Sequence, residues 1–233
     1  MTPALHDRVI VVTGGFGALG GALAAVLGSQ GARVALLDRA PPPAGLLAGE
    51  RTLLLGGVDL GDEKAAQAAF AQVLQRWQRI DGLVNVAGGF AWETLADGSL
   101  ATWDRLYAMN LRSAVAASQA VLPHLSDDGR GRIVNIAAQA AVKAAAGMGA
   151  YAASKAGVMR FTEALAEELK DSRITVNAVL PSIIDTPANR ADMPKADFDR
   201  WVTPVALGRV IAFLLSDDAA AITGACLPVA GRV

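Results

Sequence analysis

The sequence predicts an α/β fold: a doubly wound parallel sheet with helices on both faces. Three observations predict it. Short β-branched runs alternate with longer Ala-rich segments along the whole chain, the rhythm of strand–helix–strand units. The strand runs are apolar almost without a break, as strands covered on both faces are. Hydrophobic residues make up 53% of the chain, most of them Ala, Val and Leu, which suits helices packed closely on a buried sheet. The 233 residues contain no evident linker, repeat or low-complexity tail, so a single domain over 1–233 is expected.

The elements follow in order. Residues 8–14, RVIVVTG, form a buried-strand run, and the Ala-rich stretch 17–32 reads as a helix closing at a glycine. Residues 33–39 are a second strand, and 41–50, PPPAGLLAGE, a turn-rich connection. A third strand lies within 52–60, followed by an amphipathic helix over 63–78. Residues 82–89 hold a fourth strand and its exit, and 100–125 one long helix. A fifth strand (131–138), a second long helix (151–170) and a sixth strand (174–181) come next. A helix over 203–216 and a strand over 224–229 bring the count to about seven strands.

Several function classes are disfavoured at once. The net charge is −1, so no basic face for nucleic acid is expected. The single cysteine, Cys226, lies in an apolar run and reads as a buried strand residue without an internal disulfide. The two histidines, His6 and His124, are far apart, a poor start for a zinc site or a Ser–His–Asp triad; no metal is expected. No apolar run of about 18 residues lacks polar interruption, and the first residues lack a charged-then-apolar signal pattern. A cytoplasmic protein with no membrane partner is expected.

Open parallel sheets bind ligands beyond the carboxyl ends of their strands. The strand exits here read TGGFGALG, LDR, VDL, NVAGG, NIAAQ and LPSIID. In the first, Gly14, Gly15, Gly17 and Gly20 with Phe16, Ala18 and Leu19 let the backbone turn tightly and present free N–H groups to a pyrophosphate. Asp38 ends the second strand 18 residues after Gly20. A carboxylate there accepts both hydroxyls of an adenosine ribose and repels a 2′-phosphate, which favours NAD. The adjacent Arg39 is suited to pair with a 2′-phosphate, which keeps NADP open. Asp59 and Leu60 follow the third strand at the adenine position, where a plain surface Asp is the alternative for Asp59. Asn85, Ala87, Gly88, Ala137, Pro181, Ser182, Ile183, Ile184 and Thr186 occupy the remaining exits.

Together these segments resemble the short-chain dehydrogenase/reductase family over essentially the whole chain. The first glycine segment is spaced as TGxxGxxG because residue 18 is Ala; the commoner form is TGxxxGxG. Residues 85–88, NVAG, are similar to the family's NNAG, and YAASK (151–155) matches its YxxxK. Asn110 matches a helix asparagine, NAVLPSIIDT resembles NxVxPGxxxT with Ser182 for Gly, and ITGACLPVAG resembles the closing segment. The resemblance implies a Rossmann-type fold, a nicotinamide cofactor, hydride transfer to a small-molecule substrate, and a homodimer or homotetramer formed through the long helices.

Tyr151 and Lys155 are four apart on a helix, hence on one face. An ammonium there lowers the pKa of a phenol, so Tyr151 is read as proton donor or acceptor and Lys155 as its activator and a ribose ligand. For Asn110 the resemblance implies a water held near Lys155; a buried Asn that shapes the helix is the other reading. The family's catalytic serine is replaced by Ala138, with Gln139 as the adjacent candidate substitute. Trp92 is a candidate pocket wall. The segment near 187–203 is expected to cover the substrate, with Met193, Phe198 and Trp201 as apolar anchors. Residues 185–204 and the alanine at 138 also resemble dihydropteridine reductases, where Asn189 matches an active-site position; the retained Asn110 looks more like ketoacyl-type carbonyl reductases. An NADH-preferring reductase of a carbonyl or quinonoid substrate is expected. A catalytically weak dinucleotide-binding or regulatory subunit is the alternative from another class.

Overall fold

The computed structural model describes residues 4–46, 48–125 and 128–233. The elements are β1 (Val9–Thr13), α1 (Ala18–Ser29), β2 (Arg33–Leu37), β3 (Thr52–Leu55), α2 (Glu63–Trp77), β4 (Gly82–Asn85) and α3 (Leu100–Tyr107). They continue with α4 (Ser113–Val121), β5 (Arg132–Ile136), α5 (Gly149–Leu169), β6 (Thr175–Pro181), α6 (Pro187–Asp192), α7 (Pro204–Leu215) and β7 (Cys226–Val229). The seven strands form one sheet in the order β3-β2-β1-β4-β5-β6-β7, and every neighbouring pair is parallel. The chain winds outward from β1 through β2 and β3, then returns to β4 on the other side of β1. That reversal opens a crevice at the carboxyl ends of β1 and β4.

Two apolar layers hold the sheet. On one face Val9 and Val11 pack with Ala66, Phe70 and Val73 of α2, Ala117 and Val121 of α4, and Leu165 of α5. On the other, Ile10 and Val12 pack with Leu23 and Leu27 of α1 and Leu207 and Ile211 of α7. The alternation of β1 residues between the layers is the period of a strand. α2 starts under an Asp62 cap, whose carboxylate accepts from the N–H groups of Lys64 and Ala65. On α5, Leu165 is buried in the α2 layer with Phe161 and Leu169 packed against it, and Val158 is buried with Ala137, Ala178 and Leu180. No helix among the described residues is long and apolar enough to cross a membrane.

Three expectations are corrected. The long helix predicted over 100–125 is interrupted by a π turn at Ala108–Arg112 and ends in a 3-10 turn at Leu122–His124. The second long helix starts at Gly149, two residues before Tyr151. Cys226 is half-buried, because β7 is an edge strand; the edge also tolerates Pro228, which has no N–H to give a further neighbour. Leu47, inside the turn-rich connection, lies outside the described residues, as do residues 1–3 and 126–127.

Candidate active site

The glycine segment turns from β1 into α1 at the crevice. Gly14 has φ +61°, and a side chain there would meet the Ala87 backbone at 2.8 Å. Only glycine allows β1 and the β4 exit to approach this closely. Thr13 Oγ1 fixes the same approach by accepting from the N–H groups of Val86 (3.1 Å) and Ala87 (3.2 Å). Gly17 is the N-cap of α1 and carries no capping side chain, so the first N–H groups of the helix, from Ala18 onward, face out. Such an end attracts an anion. The Asp38 carboxylate lies across the loop, accepting from Phe16 N–H and from Ala40 N–H, each at 3.0 Å. Arg39 beside it is exposed. Val58 N–H donates to Asp38 O at 2.9 Å, which brings the β3 exit to the same rim. There Asp59 is exposed and turns back on Gly61 N–H at 2.8 Å. The residues present fit a dinucleotide: an uncapped helix start, a close-approach glycine and a carboxylate at the next strand exit.

Two residues assigned to this cradle turn elsewhere. Leu60 packs into the α2 layer of the core. Asn85 is buried, and its amide donates to Asn135 Oδ1 (2.8 Å) and Ser118 Oγ (3.2 Å), tying β4 to β5 and α4. Its side chain is a core crosslink, not a surface offered to a ligand.

Lys155, Asn110 and Gly88 meet below the β4 exit. Lys155 is buried and its Nζ donates to Ile136 O at 2.7 Å. A side chain on Gly88 would lie 2.7 Å from Asn110 Oδ1 and 3.3 Å from Lys155 Nζ. Asn110 accepts from Gly89 N–H (2.8 Å) and donates to Gly89 O (3.1 Å) and Ser154 Oγ (2.9 Å). Both amide hydrogens are therefore used, and Asn110 clamps the β4 exit to α5. This favours the structural reading of the residue over water-holding by its amide. The π turn serves the clamp, since its extra residue turns Asn110 inward. Ser154 donates in turn to Tyr151 O at 2.7 Å.

The pKa relation expected between Tyr151 and Lys155 is also corrected. Burial pushes Tyr151 up to about 12 and Lys155 down to about 8. In the protein alone, desolvation of both groups outweighs any help the ammonium gives the phenolate. Phe90, which the sequence reading missed, meets the Tyr151 ring edge-on with centroids 5.0 Å apart. Its signal was an aromatic residue directly after NVAGG.

The remaining exits close over the site. Ala137 and Ala138 are buried and Gln139 half-buried at the start of a 3-10 turn. After Pro181, Ser182 Oγ donates to Ala230 O at 2.6 Å. Ile183 O accepts from Val202 N–H, Asp185 N–H donates to Val202 O, and Ile184 bridges Val202. Thr186 caps α6 by accepting from Asn189 N–H. In the segment near 187–203, two of the residues expected to contact substrate are engaged within the protein. Asn189 donates its amide to Ile184 O at 2.8 Å, and Trp201 is buried against Phe198, centroids 4.8 Å apart.

Comparison with known proteins agrees with this fold. A family model described as short chain dehydrogenase matches residues 8–197. The D-threitol dehydrogenase of Mycolicibacterium smegmatis is 34% identical over 97% of this chain and 93% of its own. The 3-oxoacyl-[acyl-carrier-protein] reductase of Thermotoga maritima is 30% identical over 97% and 98%. The crystal structure of the Brucella melitensis 3-ketoacyl-(acyl-carrier-protein) reductase complexed with NADH superposes with a TM-score of 0.87 at 28% identity, covering 97% of this chain and 98% of that one. The chain belongs to the short-chain dehydrogenase/reductase family and is an oxidoreductase.

Proposed function

We propose that this protein is an NADH-preferring reductase of a carbonyl or quinonoid small molecule, with Tyr151 as proton donor and no hydroxyl at position 138. The observation that carries the reading is the convergence of Lys155 and the Asn110 clamp at the β4 exit, beside an uncapped α1 and the Asp38 carboxylate. Bound nicotinamide supplies the hydride. The chain does the rest: the α1 start holds pyrophosphate, Asp38 the adenosine ribose, and Lys155 the second ribose. With its pKa near 12, Tyr151 keeps its proton at neutral pH, and this suits donation to a substrate oxygen, the direction of reduction. Oxidation needs the phenolate, which additional positive charge at the site would favour.

The relatives act, by name, on substrates as unlike as a polyol and an acyl-carrier-protein thioester, so substrate choice rests on this chain's own residues. The quinonoid pterin reading draws on Ala138 and on segment 185–204; with Asn189 engaged at the α6 start, it is the weaker of the two. A non-catalytic subunit is disfavoured by the intact Tyr–Lys pair. We further read the protein as a cytoplasmic homodimer or homotetramer. The α3–α5 face supports this, with exposed Trp103 and Tyr107 lining a groove of about 380 Å³.

The test is a titration with both cofactors, followed by a panel of ketones, a ketoacyl thioester and quinonoid dihydropteridine. NADH is expected to bind at least several-fold tighter than NADPH, and Asp38→Ala to narrow that gap by removing repulsion of the 2′-phosphate. Tighter NADPH binding by the unmodified protein contradicts the assignment.

A further inference from the structure

The walls beside Tyr151 are carbon. Phe90 meets the tyrosine ring at an interplanar angle of 80° and is 51% exposed. Trp92 lies against Gly147, where a side chain would collide with the indole. Its Nε1–H donates to Ala146 O at 3.0 Å, and Glu93 N–H donates to Gly147 O at 2.8 Å. With that N–H engaged, the 61% exposed indole offers a ring face and no free donor. From the β5 exit come the methyl group of Ala138 and, after the 3-10 turn, Val142 at 70% exposure. Half-buried Gln139 supplies one amide.

Charge does not compete for this surface. Glu93 and Lys143 follow Trp92 and Val142 in sequence with opposite signs. In the covering segment, Arg190 is paired with Asp185 at 2.5 and 2.8 Å and stacked on Phe198. Large apolar side chains left exposed together mark a binding surface; here Phe90 touches the proposed proton donor, and Trp92 packs on Gly147, four residues before it in the chain.

We propose that the substrate carries a compact apolar ring next to its reacting carbonyl: a cyclic or aryl ketone, or the matching secondary alcohol in reverse. This rests on the Tyr151 reading. The ring lies against Phe90 and Trp92, and its one oxygen takes the Tyr151 proton. The carbonyl carbon gains a hydride from reduced nicotinamide, the oxygen gains the proton, and solvent reprotonates the phenolate. One ketone, one NADH and one proton thus give one alcohol and one NAD. A polyhydroxylated substrate would turn hydroxyls toward Phe90, Trp92 and Ala138, losing water without regaining partners.

The test compares acetophenone and cyclohexanone with dihydroxyacetone and acetoacetyl thioester, each with NADH, in the unmodified protein and in Phe90→Ala. Acetophenone binding to the NAD-loaded protein, which has no hydride to give, is followed by tryptophan fluorescence. The ring ketones are expected to exceed dihydroxyacetone at least about tenfold in kcat/KM. Phe90→Ala is expected to reduce that preference by about tenfold and to weaken acetophenone binding, with the NADH Kd within about twofold. Circular dichroism checks that the variant folds. Equal or better use of dihydroxyacetone, no acetophenone binding, or an unchanged preference in Phe90→Ala overturns the proposal. Tyr151-dependent turnover of dihydroxyacetone alone overturns only the ring; turnover that survives Tyr151→Phe overturns the reading beneath it.

Discussion

Lys155 is a cation held away from water, and its hydrogen-bond partner among the described residues is one carbonyl, Ile136 O. The cost shows in its pKa, brought from 10.5 to about 8 by burial. Below pH 8 the folded protein carries a charge that the unfolded chain solvates better. Above pH 8 the folded state sheds the proton first, and stability rises until the unfolded chain also loses it near 10.5. Lys155→Met, which keeps the shape without the charge, is therefore expected to raise stability at pH 7 by about 1–2 kcal/mol. That figure allows for the lost hydrogen bond. The gain should shrink as pH rises from 8 to 10 while cofactor-dependent turnover is lost. Urea unfolding at several pH values checks this; a variant less stable at pH 7 contradicts it. The four-residue spacing made the Tyr–Lys face legible in the sequence. The burial behind the pKa values was not legible, because it comes from segments distant in the chain.

Among the elements, the π turn at Ala108–Arg112 matters most to the site. Its pattern is that of the surrounding helix, so the sequence reads as one long helix and the extra residue shows only in three dimensions. Asn110, aimed inward by the turn, makes three hydrogen bonds to Gly89 and Ser154. Asn110→Ala is expected to destabilise the protein by about 2–3 kcal/mol and to weaken NADH binding several-fold, because the β4 exit loses its anchor. Unfolding curves with cofactor titrations check both; unchanged NADH affinity rules out the anchoring role. Asn85 illustrates a different limit. Strands covered on both faces show no polar–apolar alternation, so the NVAG pattern marks a strand exit without telling which way Asn85 points. The segment near 187–203 is fastened to the chain's last residues: Arg200 donates to Arg232 O at 2.8 and 2.6 Å, and Arg232 to Asp199 O at 2.6 Å. Nothing in the spacing of residues 200 and 232 announces this.

At the scale of the whole molecule, strand–helix alternation pointed to the carboxyl ends of the strands, while the crevice between β1 and β4 follows from a strand order that alternation does not reveal. The opposite end of the sheet is structural. Arg8 and Arg132, both buried, lie at the starts of β1 and β5, and Arg8 pairs with the exposed Asp217, which Arg132 approaches at 3.7 Å. The motifs in register identified the family, while the contact of Phe90 with Tyr151 and the packing of Trp92 on Gly147 are visible only in the folded chain. We propose that this fold carries out its proton chemistry through Tyr151 with a methyl group where the family has a serine. Single-turnover reduction of the best panel substrate by NADH-loaded Tyr151→Phe tests it most directly. A rate lower by about 10²–10⁴-fold is expected, with NADH affinity nearly unchanged. Full activity in that variant would contradict it and leave the Tyr–Lys pair a structural feature of α5.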